Sequence, residues 1–145
     1  MTHQYCTFLL DGHLFGVSVA SVQEVLKEQA VTPVPLAPRE VSGLINLRGQ
    51  IVTTLDLRTR LGIAPRPAGA PSVSVVVRAA DGGPVSLVVD QIGDVLEAPE
   101  GALEAPPDTV PAELRELVAG IYKLEDRLML LLDTERAVTV SEVAA

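Results

Sequence analysis

The 145-residue sequence is poor in cysteine, aromatic residues and basic side chains. Its single cysteine, Cys6, cannot form an intramolecular disulfide, which excludes a small secreted scaffold held together by disulfide bonds. The formal net charge of −8 would repel a polyanion, so nucleic acid and anionic membranes are disfavoured as partners. A basic surface on a partner protein is compatible with this charge.

The sequence also lacks a segment for targeting or for crossing a membrane. Residues 1–7 do not show the basic and then apolar pattern of a signal peptide. The longest unbroken apolar run, Leu128–Leu132, is far shorter than the roughly 20 residues that span a bilayer. We therefore expect a cytoplasmic protein that does not insert into the membrane.

The residues that are abundant favour short strands joined by turns. Aromatic residues make up only 3% of the chain, so valine, leucine, isoleucine and alanine must fill the core. Asp11-Gly12 predicts a tight turn between two strands, and Arg48-Gly49 predicts a second one. Ser21 and Glu24 have the spacing of a capping box, which predicts a short helix over Val22–Leu26.

This pattern occurs twice along the chain. At an offset of 70 residues, Asp11-Gly12 aligns with Asp81-Gly82, and residues 22–26 align with residues 92–96. At an offset of 77, four residues of the first half (Gly43, Leu47, Leu55 and Asp56) align with Gly120, Leu124, Leu132 and Asp133. The repeat predicts two copies of a small β unit that form paired barrels with a groove between them.

The segment Gly43-Leu44-Ile45-Asn46-Leu47-Arg48-Gly49, followed by Leu55-Asp56-Leu57, resembles the signature of the CheW family of chemotaxis coupling proteins. The resemblance implies an all-β fold with short helices: two intertwined five-stranded Src-homology-3-like barrels related by an internal duplication. We expect one domain over 1–145, with a first barrel at about 14–64. The second barrel is expected to contain 1–13 plus 72–140, and 65–71 is expected to be the loop between them.

The same resemblance implies a non-catalytic adaptor that couples chemoreceptors to a histidine kinase. Its expected partners are the regulatory domain of a CheA-type kinase and the cytoplasmic tip of a methyl-accepting chemotaxis receptor. The protein would then lie in the cytoplasm beside membrane-anchored receptor arrays. Two alternatives stay open: an adaptor of a parallel pathway such as pilus-based motility, and a small barrel-fold hydrolase with Asp56 or Asp90 as its acid.

Arg48 is the leading candidate for partner binding, because its repeat counterpart is the acidic Glu125. An arginine at a turn tip offers a rigid fork of donors to a carboxylate or amide of a partner. Asn46 is expected to brace the turn or to contact a partner. The complete set of candidate binding residues is Arg48, Asn46, Gly43, Gly49, Val22 and Glu24.

The sequence offers little material for catalysis. Its two histidines, His3 and His13, and the single thiol of Cys6 do not have the spacing of a triad or a zinc site. There is no glycine-rich phosphate loop, and Asp56 and Asp133 follow strands, where a helix N-cap is the ordinary role. We therefore expect no catalytic residue, metal or cofactor.

Overall fold

The computed structural model describes residues 2–27, 29–80, 82–99 and 101–139. Within these ranges, ten strands form two five-stranded sheets, accompanied by three short α-helices. The strands are β1 (Thr2–Leu10), β2 (His13–Ser18), β3 (Val22–Lys27), β4 (Val41–Leu47), β5 (Gln50–Asp56), β6 (Val73–Arg78), β7 (Pro84–Val89), β8 (Gln91–Pro99), β9 (Val118–Lys123) and β10 (Leu128–Leu132). The helices are α1 (Leu57–Arg60), α2 (Ala112–Leu117) and α3 (Thr134–Val138).

The two sheets have the same topology. The first barrel has the strand order β3-β6-β7-β5-β4, and the second has the order β8-β1-β2-β10-β9. Among the described strands, each sheet has one parallel pair, β5 with β7 in the first and β10 with β2 in the second. The two pairs are equivalent, because β5 corresponds to β10 and β7 to β2 in the repeat. The predicted all-β fold of two five-stranded units related by duplication is therefore confirmed.

The pairing registers show which residues are equivalent. Thr54 lies opposite Ser86 in the first barrel, and Leu131 lies opposite Gly16 in the second. These pairs keep the offsets of 77 and 70 residues that the sequence predicts. Asp56 and Asp133 also keep equivalent roles, because each side chain caps the helix that follows its strand. Asp81, of the predicted second Asp-Gly turn, lies outside the described residues.

The predicted helix over Val22–Leu26 is wrong, because this segment is strand β3. Its side chains alternate between more and less buried positions, and its backbone pairs with β6, so sheet pairing outweighs the local capping signal. The equivalent segment, residues 92–96, is likewise part of a strand, β8. Val19–Ser21, just before β3, forms a 3-10 turn instead.

The sheet membership also corrects the predicted subdomain boundaries. β2 was expected in the first barrel (14–64), but it pairs with β1 and β10 in the second. β6 and β7 were expected in the second barrel (72–140), but they pair with β3 and β5 in the first. Each repeat therefore gives its first hairpin to the sheet that holds the last three strands of the other repeat.

The largest core cluster draws apolar side chains from both barrels. Phe8 and Phe15 of the second barrel stack with ring centroids 6.0 Å apart, and Val75 and Leu87 of the first barrel belong to the same cluster. Two smaller clusters each lie within one barrel. Because the main cluster is shared, the two barrels form a single folding unit rather than two separate ones.

A polar network joins the barrels where the chain passes from β7 to β8. The carboxylate of Asp90 accepts hydrogen bonds from Arg58 Nε at 2.8 Å, Arg66 Nη2 at 2.9 Å and the backbone amide of Asp11 at 2.8 Å. Burial alone would raise the pKa of Asp90, but the hydrogen bonds from Arg58, Asp11 and Arg66 lower it to about 2. On the other side of α1, Arg60 donates to the backbone oxygens of Arg136 and Ala137 in α3.

Two equivalent glycines are required by close backbone approach. Gly43 has a φ of +150°, and an added Cβ would lie 2.2 Å from the backbone oxygen of Thr32. At Gly120 the added atom would lie 2.9 Å from the backbone oxygen of Glu104 and 2.4 Å from the Leu103 side chain. At these points the connection before each strand crosses close to it, through the Thr32–Leu44 bridge and the Glu104–Ile121 bridge.

Replacing Asp90 with asparagine should lower the free energy of unfolding at pH 7 by about 2 kcal/mol, the value of a pKa held near 2 instead of 3.8. Because folding lowers this pKa, the stabilisation is complete above about pH 4 and is lost as the pH falls to about 2. Urea denaturation of the wild-type protein and of Asp90→Asn between about pH 2 and pH 7 tests this prediction. Asp126→Asn, at an exposed position, is the control. A difference between wild type and Asp90→Asn that stayed constant with pH would contradict it.

Gly43→Ala should destabilise the protein by more than about 3 kcal/mol, since the new methyl group cannot avoid the Thr32 backbone. Gly49→Ala is the matched control, because Gly49 has a φ of +86° but open space around its Cα. The Gly49→Ala substitution should lower the free energy of unfolding by about 1–2 kcal/mol, the cost of a positive φ for a residue other than glycine. Equal losses for the two variants in chemical denaturation would show that the contact with Thr32 is unimportant.

Candidate functional site

Arg48 lies at the tip of the hairpin between β4 and β5. Both central residues of this turn have positive φ, 51° for Arg48 and 86° for Gly49, as in a type I′ turn. The backbone amide of Gly49 donates to Asn46 Oδ1 at 2.9 Å, so Asn46 braces the turn. The Arg48 side chain is 71% exposed, which confirms its predicted position on the surface.

The Arg48 guanidinium forms a two-pronged ion pair with Glu24 of β3. Nη1 lies 2.5 Å from Oε1, and Nη2 lies 2.7 Å from Oε2. This hydrogen bonding lowers the pKa of Glu24 and raises that of Arg48, so both groups stay charged at neutral pH. The fork fixes the direction of a side chain that would otherwise be free on the surface.

A bulge in β3 places Glu24 where Arg48 can reach it. The pairing with β6 shifts register between Val22 and Glu24, which puts Glu24 opposite Val76. Leu26, two residues further on, packs against a small core cluster that also contains Ile45 and Leu47 of β4. The sheet of the first barrel is therefore curved, which brings its two edge strands, β3 and β4, close together. The Arg48–Glu24 pair connects these edges at the surface.

The structure brings four of the six candidate residues together: Arg48, Glu24, Asn46 and Gly49. The other two have structural positions. Val22 packs against the shared core, and Gly43 is buried by the approach of Thr32. Glu24 was interpreted as the acid of a capping box, and this interpretation is wrong because it lies in a strand and pairs with Arg48.

Exposed apolar side chains lie near this pair, and one of them, Ile51, is not among the predicted binding residues. Ile51 is 63% exposed and lies opposite Asn46 in the hairpin. Val25, next to Glu24 in β3, is 41% exposed. No local sequence pattern links Glu24 to Arg48, because the two residues lie 24 positions apart and meet only in the folded barrel.

The groups available for chemistry are dispersed. In the part of the chain that the structure describes, no three side chains of His, Cys, Asp or Glu are placed to hold a metal ion. Cys6 is buried, and burial raises the pKa of its thiol, which keeps it protonated and weakly nucleophilic. His3 is bound to the Ser18 hydroxyl at 3.1 Å on the surface.

Across the described ranges, no helix has the length and hydrophobicity needed to cross a membrane.

Comparison with known proteins gives a consistent result over nearly the whole chain. The family model described as a CheW-like domain matches residues 4–142. The chemotaxis protein CheW of Bacillus subtilis is 30% identical over 126 residues, which cover 87% of this chain and 80% of that protein. The CheW of Treponema pallidum is 25% identical over 143 residues, covering 97% and 84% of the two chains.

A solved structure agrees with the fold. The crystal structure of the scaffolding protein TtCheW from Thermoanaerobacter tengcongensis superposes with a TM-score of 0.86 at 30% sequence identity. The alignment covers 97% of this chain and 90% of that one. With its match to the family model, its duplicated five-stranded units and this similarity, the chain belongs to the CheW-like family.

Proposed function

We propose that this chain is a chemotaxis coupling adaptor that links receptor tips to a CheA-type histidine kinase. Family membership supports the coupling role, and TtCheW, whose structure is similar, is a scaffolding protein. The expected place of action is the cytoplasmic side of a receptor array. As an adaptor, the protein would act by binding its partners rather than by catalysis.

The observation that carries this proposal is the Arg48–Glu24 pair on the first barrel. An exposed ion pair of this kind contributes little to folding stability, because water already solvates both charges. The turn nevertheless holds Arg48 at a positive φ, a conformation that costs energy for a residue other than glycine. The backbone of Arg48 is strained, and its guanidinium is exposed and held in place by Glu24. Partner recognition explains this combination better than folding does.

The surroundings of Arg48 fit a protein partner. The fork uses only part of the five donors of a guanidinium, so hydrogens remain for a carboxylate or amide of the partner. Ile51 adds an apolar contact beside the turn. An arginine flanked by exposed apolar side chains has the composition of an interface centre.

Partner identity within this proposal rests on the family. We assign the receptor tip and the kinase regulatory domain as partners, with Arg48, Glu24, Asn46 and Gly49 at the surface and Val22 and Gly43 supporting it from behind. A role in a parallel pathway such as pilus-based motility would change the partner but not the residues. Neither the fold nor the described side chains favour the hydrolase alternative, since Asp56 and Asp90 are engaged in structural hydrogen bonds.

Arg48→Ala should weaken binding to the receptor tip or to the kinase regulatory domain by at least about tenfold, the loss typical of an interface anchor. Its melting temperature should change by less than about 3 °C, because the side chain is exposed. Calorimetric titration with each partner and thermal melts measure the two effects. Arg39→Ala, at another exposed arginine of the first barrel, controls for the same change in charge.

A charge swap separates recognition from structure. Arg48→Glu alone places two carboxylates together and should lower both binding and stability. The double variant Arg48→Glu with Glu24→Arg restores an ion pair, so its melting temperature should recover, whereas binding should not. If the double variant bound normally, the pair would act only as a structural clasp.

A further inference from the structure

The second barrel has an equivalent of the Arg48 hairpin, but its charges are different. The counterparts of Arg48 and Gly49 are Glu125 and Asp126, and the counterpart of Glu24 is Asp94. At the positions where the first barrel has the Arg48–Glu24 ion pair, the second barrel therefore has two acidic side chains, Glu125 and Asp94. Within the described residues, none of these three carboxylates forms a salt bridge.

The hairpin tip also has a different backbone. Both turns have the same length, because the Leu124 amide donates to the Arg127 oxygen at 2.8 Å and Leu47 pairs with Gln50 in the same way. Arg48 has a positive φ. Glu125 and Asp126 are not among the described non-glycine residues that have a positive φ. The acidic tip is thus a different turn type, and no ion pair draws it towards β8.

A groove of about 670 Å³ opens at this end of the second barrel. It contains apolar side chains from β1, β2, β8 and the end of β9, and charged side chains from β8 and the turn. The apolar group is Leu9, Leu14, Ile92, Leu96 and Leu124, and the charged group is Asp94, Glu125, Asp126 and Arg127. Three acids against one arginine give the charged group a formal charge of −2.

The β8 side of the groove is held rigidly. Thr7 Oγ1 donates to the backbone oxygen of Asp94 at 2.5 Å. An added Cβ at Gly93 would lie 2.5 Å from the same Thr7 oxygen, so this close contact requires glycine. Asp94 therefore has a fixed backbone position before any partner arrives, which lowers the entropic cost of binding.

We propose that this groove is a docking surface for a partner segment that presents an arginine flanked by apolar side chains. The partner's guanidinium would supply the cation that the second barrel lacks, between Asp94 and Glu125, while its apolar neighbours cover the leucines. Charge complementarity selects such a segment, and an acidic segment is rejected. The proposal concerns a different barrel from Arg48 and is independent of the proposed coupling function.

The test uses the full-length protein, labelled with ¹⁵N, and a short helical peptide with one central arginine on an apolar face. A second peptide has glutamine in place of the arginine. We expect amide shifts at residues 91–96 and 124–127 on adding the arginine peptide, and at least about tenfold weaker binding of the glutamine peptide. Equal binding of the two peptides, shifts elsewhere or no binding would overturn the proposal.

Glu125→Arg is the decisive variant, because it recreates next to Asp94 the arrangement of the first barrel. Its spectrum should remain that of a folded protein, and its affinity for the arginine peptide should fall by at least about tenfold. Glu116→Arg makes the same change of charge at an exposed position outside the groove, so it is the matched control and should bind the peptide normally. Unchanged binding by Glu125→Arg would refute the docking site.

Two further measurements decide between possible occupants. Calcium chloride alone should not displace the peptide. In sedimentation velocity, the wild-type protein and the Glu125→Arg variant should have the same sedimentation coefficient. Displacement by calcium would assign the groove to a metal ion instead. Self-association that Glu125→Arg abolishes would assign it to a second copy of the chain, and either result would overturn the proposed occupant.

Discussion

The two barrels depend on one shared apolar core, to which both sheets contribute fully buried side chains. Phe8, Phe15 and Val17 of the second barrel belong to the same cluster as Val75 and Leu87 of the first. Burial of apolar surface drives this association without directional preference. Polar contacts then fix the orientation, with Asp90 and Arg58 on one side of α1 and Arg60 on the other.

Much of this architecture could be predicted from the sequence. The duplication, the tight turns and the strand-ending Asp56 and Asp133 leave local signals, because turns and caps need particular residue types. Strand β3 was mistaken for a helix because a capping-box pattern is local, whereas pairing with β6 is not. The barrel boundaries failed for the same reason: exchange of hairpins between repeats changes no local residue pattern.

The candidate site shows a similar division. Arg48, Asn46 and Gly49 were found because they lie in one hairpin, and Asn46 has the bracing role that its residue type favours. Glu24 as the partner of Arg48 depends on how far the sheet curls, a property of the whole barrel. The duplicated halves have the same strand order but different charges at the equivalent hairpin tips, so one protein presents two chemically distinct ends.

The exchange of hairpins has a consequence for how such a protein arose. A single repeat, β1 to β5, holds the hairpin of one barrel and the remaining three strands of the other, so alone it would leave both incomplete. Two separate copies would complete each other only as an intertwined homodimer. Joining them through residues 57–72 makes the encounter intramolecular, at an effective concentration on the order of millimolar. After this fusion, completion of the two barrels would no longer depend on the concentration of the protein.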